Sequence, residues 1–407
     1  MRRAALALGL AALLGSAAAA QELALTQVER GRYLTAAGNC ISCHTDFEND
    51  GPPFGGGREL ETPFGVIISP NITFDAETGI GNWSRDDFWR ALHEGTRRDG
   101  APLYPAMPYV YFTRMPREDV DAIYDYLSTV PPVTSHIVPE EELPAVLQIR
   151  AAVRGWNLLH FDQGVFEPDP TRSVEWNRGA YLVTGPGHCG GCHTAKNLLG
   201  GDEAGAFLNG GVLENWHAPN IRGGEHGGIA HWSEIDIVEF LQTGRTSHTI
   251  AMERMGEVIE YSTQHLTTED LEAIATFLQT LVDFPPEPPA DDPDEASLMA
   301  GAAIYFDNCA ACHRSDGSGV PYIFAALDGS NKVRSDDPTT VLRIILEGAT
   351  AIATDARPTQ FGMPAFDWKL TDQEIADLVS YLRHAWGNRA GPVSASEVAD
   401  LREALAE

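Results

Sequence analysis

Cysteine, methionine and positive charge are all scarce in this chain. Of its 407 residues 6 are Cys, 7 are Met, and Lys and Arg together number 28 against 58 Asp and Glu. The resulting net charge of −30 excludes nucleic acid as a partner, because a phosphate backbone would be repelled by this surface. Beyond the N-terminus there is no apolar run of the roughly 20 residues that a membrane-spanning helix needs. Gly55-Gly56-Gly57 lacks the G-x-G-x-x-G spacing of dinucleotide sites, and there is neither an H-E-x-x-H zinc motif nor a Ser-His-Asp signature. With 43% hydrophobic and 21% charged residues the chain is still a folding sequence, neither disordered nor wholly membrane-embedded.

The N-terminus reads as an export signal. Met1-Arg2-Arg3 is followed by an apolar stretch from Ala4 to Leu14 and a run of small residues from Gly15 to Ala20, with cleavage expected before Gln21. Its apolar core is too short for a membrane anchor. Residues 1–20 are therefore expected to be removed, leaving a soluble or peripheral protein in the periplasm.

In an exported chain six cysteines would ordinarily imply disulfides. Here each one falls in a C-x-x-C-H motif: Cys40-Ile-Ser-Cys43-His44, Cys189-Gly-Gly-Cys192-His193 and Cys309-Ala-Ala-Cys312-His313. This is the attachment signature of c-type haem. Two cysteines three residues apart on a helical turn can form thioethers to the two vinyl groups of one porphyrin, and the adjoining histidine then ligates iron. A redox dithiol does not need the trailing histidine, and a zinc site brings two such pairs to one place. Three copies with no cysteine left over predict three covalent haem c groups.

The segments around the motifs repeat. Each opens with a helical run entered by glycine, at Gly31, Gly179 and Gly301, and each closes with a helix of one pattern. Val120, Leu271 and Ile375 are followed six residues later by Tyr126, Phe277 and Tyr381. Thr267-x-x-Asp270 and Thr371-x-x-Glu374 read as capping boxes, and Ser84-x-x-Asp87 and Ser233-x-x-Asp236 start middle helices. The expected fold is all-α, with three small helical units at residues 21–131, 175–284 and 295–390, each wrapped around one haem. A linker at 132–174 contains an amphipathic helix marked by Val146, Ile149, Val153 and Trp156, which either joins the first two units or offers a docking surface. Residues 285–294 form a Pro-rich acidic spacer, and 391–407 a tail.

A thioether as second axial ligand would close the iron coordination and raise the potential. Met107 in Tyr104-Pro-Ala-Met107-Pro108 and Met363 in Phe361-Gly-Met363-Pro364 lie in Pro-flanked loops ahead of the closing helices. In the second unit Met255 is preferred to Met252, since Met255 and Met107 follow their histidines at nearly equal distances. Met115 and Met299 read as packing residues, and His93, His188, His217 and His265 as structural or surface histidines. Ser69-Pro70-Asn71-Ile72 recurs as Ala218-Pro219-Asn220-Ile221, either as loops against a haem edge or propionate or as plain turns.

Further marks are Gly155-Trp156-Asn157-Leu158-Leu159, Trp176-Asn177-Arg178-Gly179-Ala180-Tyr181-Leu182-Val183, Gly187-His188 before the second motif, and Tyr261-Ser262-Thr263-Gln264-His265-Leu266. In these, and over almost the whole mature chain, the sequence resembles the triheme cytochrome c subunit of membrane-associated alcohol and sugar dehydrogenases. The resemblance implies three tandem class I cytochrome c-like domains and a separate catalytic subunit carrying PQQ or FAD. Electrons would pass to ubiquinone or to a downstream cytochrome or oxidase. It further implies an electron-transfer subunit rather than the substrate-oxidising one. Relatives often hold the membrane through C-terminal sequence. The acidic tail here, with Val398, Leu401 and Leu405 on one helix face, predicts peripheral association at most. Two other readings remain: a free-standing soluble periplasmic carrier, and a haem enzyme with an open iron.

Overall fold

A computed structural model describes residues 26–139, 143–145, 147–224, 228–281 and 291–406. The expected leader at 1–20, Val146 and the expected spacer up to residue 290 lie outside them. Helices dominate. Three two-stranded antiparallel hairpins accompany them, Glu59–Thr62 with Gly65–Ile68, Gly211–Leu213 with Trp216–Ala218, and Ala349–Thr350 with Gly362–Met363. The fold is thus mainly helical rather than purely so. The chain separates into two compact units, residues 1–166 and 167–407.

The helices begin where side chains satisfy the free N–H groups of the first turn. Ser84, Ser233 and Thr371 each form a reciprocal capping box, with Asp87, Asp236 and Glu374 respectively. Thr267 accepts the Asp270 N–H at 3.2 Å. The Asp270 carboxylate also receives both prongs of the Arg178 guanidinium, each at 2.7 Å, which ties the closing helix Thr268–Gln279 to the opening helix Val174–Thr184.

The three recurring glycines do not enter the opening helices but sit inside them, in helices 26–37, Val174–Thr184 and Glu295–Asn308. A Cβ on Gly31 would meet the Ala122 carbonyl oxygen at 1.9 Å, on Gly179 that of Ala273 at 1.9 Å, and on Gly301 that of Asp377 at 2.1 Å. The residue packed beside each glycine on the closing helix is the repeating aromatic, Tyr126, Phe277 or Tyr381. Glycine stands at these places because the opening and closing helices cross backbone to backbone, at a spacing that admits no side chain.

In the first unit the linker helix Ala151–His160 lies against the loop that carries Met107. Arg154 donates to Gly100 O (3.2 Å), Arg150 to Pro102 O (3.0 Å) and Tyr109 Oη to Asn157 Oδ1 (2.6 Å), while Tyr104 Oη donates to Leu147 O (3.0 Å). Of its marker residues Val153 is buried and Ile149 is exposed, as are Leu158 and Leu159.

In the second unit the segments around the second and third motifs form one body. His217 and Thr340 exchange two hydrogen bonds of 2.9 Å. Met252 bridges Ala351, and Ile352 enters the core formed by Ala251 and Ile259. The C-terminal helix Ala395–Ala404 buries Val398 completely, and Leu401 and Leu405 pack against the same core as Leu378, Val379 and Leu382. Its apolar face is thereby covered by the chain itself. Among the described residues no helix is long and apolar enough to cross a membrane.

Candidate haem sites

Each C-x-x-C-H motif occupies a single helical turn, Cys40–Cys43, Gly190–His193 and Ala310–His313. The same bond recurs in each turn. The N–H of His44 donates to Cys40 O (3.0 Å), that of His193 to Cys189 O (2.9 Å) and that of His313 to Cys309 O (2.9 Å). Both cysteines and the histidine are thereby held on one short element, and none of the six cysteines pairs in a disulfide. Burial, followed by the neighbouring cysteine, pushes the first thiol of each pair up: Cys40 and Cys189 to about 12 and Cys309 to about 11. Reactive redox dithiols need the opposite shift, so these pairs are not poised for dithiol exchange.

The histidines share one anchoring device. His44 Nδ1 lies 2.8 Å from Pro70 O, His193 Nδ1 2.7 Å from Pro219 O, and His313 Nδ1 2.9 Å from Ala325 O. A carbonyl oxygen can only accept, so Nδ1 must carry the proton and Nε2 keeps its lone pair. Burial lowers the pKa of all three rings and favours the neutral imidazole, against the raising effect of the carbonyl bond. A neutral imidazole with its ring plane fixed through Nδ1 and its Nε2 lone pair available is the form that binds a metal. These residues fit a covalently attached haem.

The methionines lie on other elements. Met107 stands two residues ahead of the helix Tyr109–Phe112, and its N–H donates to Tyr104 O at 3.0 Å. Met255 is in the first turn of the helix Glu253–Tyr261, packed against the core of Ala251, Ile259 and Ile352, and Met252 caps that helix. Met363 ends a hairpin strand opposite Ala349 and packs on the core of residues 305–398. Met115 is fully buried and Met299 is exposed. His93 bonds Thr113 O and stacks on Trp89, His188 bonds Pro186 O, His217 bonds Ser335 and His265 bonds Glu260 O.

The anchoring carbonyls are what sequence reasoning missed. In two sites the signal was the repeated Pro-Asn-Ile. Its proline carbonyl meets the histidine, and the asparagine side chain turns the loop, Asn71 Oδ1 accepting Thr73 N–H and Asn220 Oδ1 accepting Arg222 N–H. At Ala325 no side-chain signal exists, because the acceptor is plain backbone.

Paired cysteines beside carbonyl-anchored neutral histidines define a c-type haem protein. Residues 28–131, 177–282 and 298–386 match the family model described as Cytochrome c. The cytochrome c subunit of the quinone alcohol dehydrogenase of Gluconobacter oxydans is 39% identical, over 97% of this chain and 86% of its own. The gluconate 2-dehydrogenase cytochrome c subunit of Pantoea cypripedii is 38% identical, over 99% and 96%. For the fructose dehydrogenase cytochrome subunit of Gluconobacter japonicus the values are 36%, 92% and 82%. The chain belongs to the cytochrome c family.

Proposed function

We propose that this chain is the electron-carrying subunit of a periplasmic dehydrogenase complex, with one haem c in each of the segments 21–131, 175–284 and 295–390. The observation that carries the reading is the anchored histidine, repeated with the same ring nitrogen and a backbone acceptor at His44, His193 and His313. When bound, haem supplies a one-electron iron couple. The chain's own residues then do the rest. Cys40 and Cys43, Cys189 and Cys192, and Cys309 and Cys312 would hold the porphyrin, while His44, His193 and His313 would present Nε2 to iron. Met107, Met255 and Met363, on elements of separate origin, would supply the thioethers, which would favour the reduced state. Iron held by these residues would transfer electrons and would leave no open position for substrate chemistry.

The electron source is a catalytic subunit that oxidises an alcohol or sugar with PQQ or FAD. This follows the relatives, which are named as cytochrome subunits of alcohol, gluconate and fructose dehydrogenases. The acceptor is ubiquinone or a downstream cytochrome or oxidase, and the strong negative charge steers encounter towards basic partner surfaces. The test is native affinity purification from host membranes in mild detergent, with pyridine haemochrome counting of haem and release of organic cofactors. Three haems per chain and a copurifying large subunit with PQQ or FAD are expected. Recovery of the chain alone from the soluble periplasmic fraction would favour a free-standing carrier and overturn the subunit reading.

A further inference from the structure

Residues 246–250 lead into the segment that carries Met252 and Met255, and they are stitched to the loop that orients His313. Tyr322 N–H donates to Thr246 O at 3.2 Å, Ala326 N–H to His248 O at 3.0 Å, and Lys332 Nζ to Ile250 O at 2.8 Å. The middle bond shares a peptide group with the third histidine's anchor. The Ala325 carbonyl accepts His313 Nδ1–H, and the N–H of that same peptide group points at His248. A hydrogen-bonded path therefore runs from His313 to the backbone just ahead of the second site's methionines.

Lys332 closes this seam with a full positive charge. Among the described residues no carboxylate forms an ion pair with it. The nearby Asp336 and Asp337 act on His217 and Arg383. Burial lowers the Lys332 ammonium to about 8, which leaves it charged at neutral pH. Arg245, itself buried, adds a second cation to the same seam, and its side chain donates to the Ile352 and Thr359 carbonyls across it. In a chain with twice as many acidic as basic residues, cations placed here without carboxylates oppose the overall charge.

We propose that Lys332 is a redox-tuning residue: its charge, held at the Ile250 carbonyl, raises the midpoint potential of the second haem and so sets the driving force between the second and third haems. Oxidation of haem iron adds one positive charge, and a fixed cation in a partly desolvated seam disfavours that state. The proposal rests on the three-haem reading and on Met255 as the second distal ligand. The experiment is spectropotentiometric titration of the full haem-loaded chain as wild type, Lys332→Gln, Lys332→Arg and Met255→His. Glutamine keeps a donor for Ile250 O but no charge, so it separates field from hydrogen bond. Lys332→Gln is expected to lower one midpoint, the one that Met255→His also displaces, while Lys332→Arg leaves it in place. Three unmoved midpoints in Lys332→Gln, or an equal fall in Lys332→Arg, overturn the tuning role. A Met255→His chain with three unmoved midpoints, or a wild-type chain carrying fewer than three haems, overturns the underlying reading and the tuning role with it.

Discussion

Gly179→Ala tests the backbone-to-backbone helix crossing with a single methyl group. The added Cβ would stand 1.9 Å from the Ala273 carbonyl oxygen and 2.9 Å from Phe277 Cβ, whereas ordinary contact begins near 3.4 Å. The nearer neighbour is backbone, so no side chain can swing aside, and the helices must part by about 1.5 Å. Parting them also loosens Leu182 and Leu271, both nearly or fully buried along the two helices. Overpacking of this kind costs ~3 kcal/mol, at the upper end of the usual range because backbone must move. The better helix propensity of alanine returns ~1 kcal/mol. The net loss of ~2 kcal/mol lowers the melting temperature of a unit this large by about 4–8 °C. Gly155→Ala is the control. It lies within the helix Ala151–His160 and its Cβ would meet nothing within 4 Å, so it should stabilise by ~0.5–1 kcal/mol through helix propensity alone. The assay is thermal unfolding of the haem-loaded chain followed by far-ultraviolet circular dichroism, with haem content measured beside it. If Gly179→Ala melts at or above the wild-type temperature, the close crossing is not a constraint and the role given to Gly31 and Gly301 fails with it.

The axial assignments predict that Met107→Ala and Met363→Ala each lower one midpoint while all haem stays covalently bound. Met255→Ala should do the same and Met252→Ala should not. Three unchanged midpoints in Met363→Ala would refute the third assignment. Replacing Cys43 or Cys192 with serine should weaken or abolish attachment at that site alone, read as a loss of one haem by mass spectrometry of the intact chain. The Asp75 carboxylate accepts the Thr78 N–H (2.7 Å) and hydroxyl (2.8 Å), the Glu77 N–H (3.1 Å) and the Thr134 hydroxyl (3.2 Å). These bonds, led by the Thr78 N–H, hold its pKa below the usual carboxylate value. Its contribution is complete above the unfolded-state value of about 3.9 and is lost as the pH falls through the lower folded-state value. Asp75→Asn should flatten the stability of the first unit over that acid window, measured by denaturant unfolding at a series of pH values.

Features that depend on neighbours in sequence were legible, and those that depend on a partner far along the chain were not. The one-turn motifs and the Ser84, Ser233 and Thr371 caps each involve residues three or four apart, so spacing alone predicts them. The glycines were visible as a repeat, but their role was not, because Gly31 is constrained by a carbonyl on Ala122 in another helix. The face formed by Val398, Leu401 and Leu405 was equally visible, and only the fold reveals that the core of residues 305–398 covers it. The Ala325 anchor had no side-chain signal at all, since any residue supplies a carbonyl.

Departures from the repeat carry information that the repeat itself hides. After each middle helix comes a glycine with positive φ, Gly95 at 60°, Gly244 at 72° and Gly348 at 76°, where the backbone turns out of the helix. The residue that follows is Thr96 in the first segment, Arg245 in the second and Ala349 in the third. The turn needs none of these side chains in particular, so the large cation in the middle copy must answer a local demand. Its guanidinium reaches the Ile352 and Thr359 carbonyls, and Phe361 lies under it with 5.0 Å to the ring centroid. All three partners belong to the loop ahead of Met363. The arginine therefore bonds two carbonyls of the third segment, one of them on the buried Ile352, and leaving a buried carbonyl unpaired would cost ~1–3 kcal/mol. Repetition of the motif suggests three equivalent beads, but this substitution at an equivalent position marks where the second segment is shaped to receive the third. The same physical logic makes the seam an electrostatic element. Carbonyls that need donors recruit Arg245 and Lys332, and those donors bring positive charge to the seam between the second and third segments.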